Sequence, residues 1–309
     1  MPTLKSYEHD VITPVDAAGE LPEVRRIGLA DLWDALAKGV DDFRAMPSHA
    51  IFLGLIYPFV GLLLATVIFG YRNFELIYPA AAGFALMGPF VAIGLYELSR
   101  RREAGRDTNW THVFDVRYSP SFPSLLAIGG LLLVLFFAWI ATAHAIFTSY
   151  FGRGSHDSLS QLLSEISSTS HGHSLMVVGN LAGLAFAVVA MMMSVVSFPL
   201  LLDRNVGVGV ALATSVKVVV MNPVVMICWG LVVAALLVVG ALPMLMGLAV
   251  VVPILGHATW HLYRKVVVPQ EGGRPEFRPK PKRPHYAAQF PASLFVGSSS
   301  GDDEASGDR

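Results

Sequence analysis

Residues Gly88–Gly105 read GPFVAIGLYELSRRREAG, and residues Val252–Val267 read VPILGHATWHLYRKVV. Each starts apolar around a proline and ends in clustered Arg or Lys. An apolar helix that finishes in basic residues is the pattern of a bilayer span arriving at its positively charged side. The fold turns on whether the rest of the chain supports that reading, and whether the two stretches are copies.

Composition supports the first point. The chain has 309 residues, 54% apolar and 15% charged, against about 25% charged in soluble domains. A net charge of −1 gives no basic excess, so no nucleic-acid partner is expected. About six stretches approach the roughly 20 apolar residues needed to cross a bilayer. They lie near 49–70, 76–97, 123–148, 175–201, 219–240 and 243–262. Backbone polar groups in lipid must be paired within the segment, so such runs predict helices. The expected fold is all-α and polytopic. Under a six-span reading, only Arg72 and Arg153 of the 22 Lys and Arg residues fall on one side. The positive-inside rule then places both termini in the cytoplasm. The first 45 residues carry charge throughout and lack the apolar core of a signal peptide. Cys228, the single cysteine, falls inside the fifth span.

The second point rests on alignment. Residues 29–45, LADLWDALAKGVDDFRA, place Leu29, Leu32, Trp33, Leu36, Val40 and Phe43 at helical spacing, with Asp34, Lys38, Asp41, Asp42 and Arg44 elsewhere. This predicts an amphipathic helix lying in the inner interface. Ala35-Leu36-Ala37 matches Ala211-Leu212-Ala213, and Pro47 matches Pro223, at one offset of 176. Gly83, Pro89, Tyr96 and Arg100-Arg101 match Gly247, Pro253, Trp260 and Arg264-Lys265 at an offset of 164. The chain is therefore expected to hold two parallel pseudo-repeats, each an interfacial amphipathic helix plus a transmembrane hairpin. Repeat one spans 29–105, a central hairpin 123–201, and repeat two 207–267. A flexible segment, 1–28, precedes this 29–267 membrane domain. A Pro-rich basic and then Ser/Gly/acidic tail, 268–309, is expected to be a disordered cytoplasmic tail. Leu159, Leu162, Leu163 and Ile166 predict a short surface helix in the external loop.

Polar residues at membrane depth are the candidates for function. Asn180, in GNLAG, Asn222 and Glu97 are the candidates for a ligand or substrate path between the repeats. Glu97 has two options: pairing with Arg100 and Arg101 on its own helix, or meeting His261 across the pseudo-axis. His257 and His261, four apart, share a helix face that can carry a metal or haem edge. His144, His156, His171 and His173 fall on the outer side and offer a second metal set. Each histidine also has an ordinary packing role open to it. Arg100, Arg101, Arg102, Arg264 and Lys265 read as topology anchors and lipid-phosphate contacts. Asp203-Arg204 reads as a cytoplasmic turn. Gly179 and Gly183 suit close helix packing around Asn180. Tyr71, Tyr78, Tyr150 and Phe151 on one side and Trp110 and Trp260 on the other read as aromatic belts. No nucleophile elbow, zincin motif, nucleotide loop or intramembrane carboxylate pair is present. No catalytic residue and no cofactor are therefore expected.

The strings VVGNLAGLAFAV, SFPLLLDRNVGVGVALATSVKVVVMNP, WHLYRK and GPFVAIGLYELSRRREAG carry a resemblance. Over roughly residues 29–268 the chain resembles a bacterial family of predicted integral membrane proteins known only as domain of unknown function 2189. The resemblance implies a six-helix inner-membrane protein and carries no activity and no catalytic residue. Three function classes follow. The first is a non-enzymatic membrane component: an assembly factor, scaffold or complex partner. The second is a small-molecule or lipid carrier. The third is a haem- or metal-binding, oxidase-subunit-like redox protein. Membrane lipids, and another membrane protein for the first class, are the expected partners.

Overall fold

Prolines and small residues divide the apolar sequence into helices. The computed structural model describes residues 21–46, 55–70, 73–152 and 158–269. Among these residues there are twelve α-helices: α1 (Leu29–Ala45), α2 (Ile56–Gly70), α3 (Ile77–Leu86), α4 (Gly88–Val91), α5 (Ile93–Glu103), α6 (Phe122–Phe151), α7 (Leu159–Ser168), α8 (Ser170–Ser194), α9 (Ser197–Asp203), α10 (Val208–Met221), α11 (Pro223–Ala241) and α12 (Leu248–Val266). Two 3₁₀ segments, Phe74–Leu76 and Trp110–Tyr118, complete the inventory. His156, Pro47, Tyr71, Arg72, Arg153 and the tail beyond 269 lie outside the described residues.

Among the described residues, three stretches are long and apolar enough to cross a membrane: α6, the α8–α9 pair over Ser170–Asp203, and α11. α2, α10 and the stretch from Phe74 to Leu86 are shorter apolar helices. Apolar side chains stand outward along the three long stretches, among them Val134 and Phe137 on α6, Leu181 and Leu184 on α8, and Leu231 and Val238 on α11. Such faces suit contact with acyl chains.

The second expected span, 76–97, is not one helix but three. Pro89, in the first turn of α4, has no N–H to give the preceding turn, and the chain restarts there. Pro253, its aligned partner, sits inside an unbroken α12. α8 likewise stops before α9, where Pro199 removes a backbone donor. Polar side chains on α10 bridge this break: the Val196 N–H donates to Ser215 Oγ at 3.3 Å. Ser197 Oγ donates to the Ala211 carbonyl at 3.1 Å.

α1 docks on α12 by a face other than the one its apolar spacing suggests. It runs antiparallel along α12, with Asp31 and Asp34 beside Lys265, Gly39 against Ala258 and Asp42 beside His261. Its buried stripe is Leu32, Ala35, Gly39 and Asp42. Leu29 and Trp33, both assigned to the apolar face, are 47% and 58% exposed. The physical reason is Ala35 and Gly39, small residues four apart on one side of the helix. They permit close contact: a Cβ on Gly39 would meet Ala258 at 2.6 Å. α10, the expected counterpart of α1, packs instead on α8 and α9. The two halves thus differ in their contacts.

A short strap closes this end of the bundle. Val24 forms an antiparallel bridge with Val267. The Arg25 N–H donates to the Val266 carbonyl at 2.8 Å, and the Val268 N–H to Glu23 at 3.0 Å. Leu95, Phe198, Leu200, Leu202, Trp260 and Leu262 belong to the buried core, together with Leu32 and Ala35 of α1.

Candidate functional site: a buried Asp–Ser–His cluster

The densest polar chemistry lies where α1, α5 and α12 meet. Asp42 comes from the last turns of α1, Ser99 and Arg102 from α5, and His257 and His261 from α12. Asp42, Ser99 and His257 are all buried. Ser99 Oγ lies 2.5 Å from Asp42 Oδ2 and 2.7 Å from His257 Nδ1. His261 Nε2 lies 2.9 Å from the same Asp42 oxygen. Arg102 donates to Asp42 Oδ1.

These contacts fix the protons. An ionised carboxylate can only accept. Ser99 therefore donates its hydroxyl proton to Asp42, and His261 donates from Nε2. The serine oxygen is then left to accept, so His257 carries its proton on Nδ1. The order is His257 Nδ1–H to Ser99 Oγ–H to Asp42. Among the described residues no side chain or backbone group meets hydrogen-bond geometry at the buried His257 Nε2. Burial alone pushes the Asp42 carboxyl up, but the bonds from His261 and Ser99 outweigh it and hold the group at about 2.

This differs from a hydrolytic triad, in which the histidine stands between serine and carboxylate. Here the serine stands in the middle, at a helix crossing, under α1. What the arrangement does well is tie three helices together through charge-assisted hydrogen bonds.

The other candidates are also engaged in structural contacts. Glu97 accepts from Arg100 Nε at 2.7 Å and Nη2 at 2.9 Å, with both residues buried. Arg101 Nη1 lies 3.7 Å from Glu97 and 3.4 Å from Asp115. His261 pairs with Asp42, not with Glu97. Asn180 accepts from Tyr78 Oη at 2.7 Å and donates to the Met176 carbonyl. Asn222 holds the strap, accepting from the Ile27 N–H at 2.9 Å and donating to the Arg25 carbonyl at 3.1 Å. Asn180, Asn222 and Glu97 therefore have separate hydrogen-bond partners. Asp203 accepts from Tyr263 Oη at 2.7 Å and from Arg264 at 3.3 Å. Arg204 donates to the Val268 carbonyl. Trp260, read as part of an aromatic belt, is buried and donates to Glu103 at 3.0 Å.

The five basic residues read as lipid anchors all face carboxylates of the protein. Arg100 meets Glu97, Arg101 meets Glu97 and Asp115, Arg102 meets Asp42, Arg264 meets Glu103 and Asp203, and Lys265 meets Asp31 and Asp34. On the opposite side, His173 Nε2 lies 2.9 Å from the Ser167 carbonyl. His144 and His171 are exposed. Among the described residues, no three of His, Cys, Asp and Glu are placed to hold a metal ion.

Sequence reasoning placed Asp42 on the polar face of α1 and missed Ser99. The Ala35–Gly39 spacing was the available signal, because it marks the face that docks and turns Asp42 inward with it.

No curated protein and no solved structure matches the chain. A family model does match, over a shorter span than the 29–268 of the resemblance, so Ser99 is the one member of the trio inside it. Residues 77–203, from the start of α3 to the end of α9, match the model of a family of predicted integral membrane proteins, DUF2189.

Proposed function

We propose that this chain is a non-enzymatic component of the bacterial inner membrane, a scaffold or assembly partner, with its basic end and both termini in the cytoplasm. One observation carries the reading. Asp42 is buried and engaged by three side chains, Ser99, His261 and Arg102. Its bonds join α1 to α5 and α12. The charge asymmetry of the sequence supports the orientation. The aligned sequence positions, Ala35-Leu36-Ala37 with Ala211-Leu212-Ala213 and Gly83 with Gly247, support the parallel pseudo-repeat, which belongs to the same proposal.

Native mass spectrometry of protein extracted mildly from its own membranes tests the reading. The expected result is the mass of the chain alone, or of a whole-number complex with another protein. A stoichiometric haem, metal or small organic ligand would overturn it.

A second reading, a carrier for apolar chains, is favoured by a cavity of about 250 Å³ between α2, α3, α11 and α12. Leu64, Ile68, Ala81, Phe84, Leu237 and Leu248 are among its lining residues. One chain-bearing lipid retained by the wild type and lost in Ala81→Trp would support that reading over the first.

A further inference from the structure

The five expected lipid anchors are each paired with a carboxylate of the protein, which raises the question of what meets the headgroups at the basic end. The 3₁₀ helix Trp110–Tyr118 supplies an answer. Its inner side packs on α5, with Val113 against Gly94 and Val116 buried. Its own carboxylate, Asp115, turns inward to His112 and Arg101. Its outer side presents Trp110, Phe114, Arg117 and Tyr118, with the three aromatics 42%, 54% and 41% exposed. Trp110 and Phe114 meet edge to face at 6.1 Å. The Arg117 guanidinium stands 4.7 Å over the Tyr118 ring and donates to its hydroxyl at 2.7 Å. Among the described residues Arg117 has no carboxylate partner.

Three exposed aromatics beside a cation form a surface with apolar bodies and polar tips, the composition of a bilayer interface. Position agrees. The long apolar helix α6 begins at Phe122, and its outward face is apolar from Leu126 onward. The facet is thus continuous with the lipid-facing surface, at the level where α6 enters. Its charge complements a phosphate: the cation points outward and the acid inward.

We propose that this facet is an anionic-phospholipid site. Trp110, Phe114 and Tyr118 seat at headgroup depth, and Arg117 binds the phosphate of a lipid bearing a net negative charge.

The test titrates delipidated, full-length protein in detergent with dioleoylphosphatidylglycerol or dioleoylphosphatidylcholine, and counts bound lipid by native mass spectrometry. The wild type is expected to prefer the anionic lipid at one site by about fivefold, the effect of one basic residue near a membrane surface. Arg117→Gln is expected to abolish that preference and Arg117→Lys to keep most of it. Arg44→Gln, at an exposed arginine ending α1, is expected to leave it unchanged. An absent preference in the wild type, an intact one in Arg117→Gln, or an equal loss in Arg44→Gln would each overturn the proposal.

Discussion

At the residue scale, Asp42 dominates because it combines burial with several donors. Its carboxyl is held at about 2, below the ordinary 3.8. A depressed carboxylate stabilises the fold fully above the unfolded value and loses that contribution as pH falls through the folded one. The shift corresponds to about 2 kcal/mol. The gap in melting temperature between wild type and Asp42→Asn should stay constant from pH 7 to about pH 4, then shrink toward pH 2. A gap that is unchanged near pH 2 contradicts the assignment. The proton order makes a second, separate claim. Nitrogen-15 spectra of histidine-labelled protein at neutral pH should show His257 protonated at Nδ1 and bare at Nε2. The opposite tautomer would break the Ser99 relay as described.

At the element scale, close approach decides which helices pair. A side chain larger than hydrogen at Gly39 collides with the α12 backbone. Gly39→Leu should destabilise the protein by about 1–3 kcal/mol, with the loss concentrated in hydrogen-exchange protection of α1. Gly183 and Gly179 provide an internal contrast. A Cβ at Gly183 would meet the Trp139 ring at 3.2 Å, whereas Gly179 has open space. Gly183→Leu should lower the melting temperature and Gly179→Leu should not; equal effects would mean that α6 and α8 pack differently. Helix type was largely legible in the sequence, because apolar runs act locally; the breaks within the expected spans 76–97 and 175–201 were not. The docking face of α1 was less so. Its apolar periodicity favoured Trp33 and Leu29, but a helix can turn toward small residues when the gain is close packing plus a polar lock. That choice depends on α5 and α12, which are far away in sequence.

At the scale of the whole molecule, two kinds of surface divide the chain. α6, α8 and α11 present apolar faces outward, while α1, α5, α9 and α12 bury a core crossed by ion pairs. The membrane class was readable from composition because lipid selects apolar residues one by one. The cluster was not, since Asp42, Ser99 and His257 are separated by 57 and 158 residues in sequence and match no local motif. The same separation explains why Arg102, Arg264 and Lys265 read as lipid anchors: their carboxylate partners lie on other helices. Asn222 shows the arrangement at the backbone level, with one amide satisfying both groups of a strap about 195 residues away. Asn222→Ala should therefore raise the protease sensitivity of residues 21–28 without changing the helix content, as read by limited digestion and circular dichroism.

The central claim is that α1 is locked to α5 and α12 through Asp42 and Ser99. A double-mutant cycle on the full-length protein, using Asp42→Asn, Ser99→Ala and their combination, tests it most directly. Buried, charge-assisted partners should couple by about 1 kcal/mol or more in unfolding free energy. Strictly additive effects would contradict the account, because the two side chains would then stabilise the bundle independently.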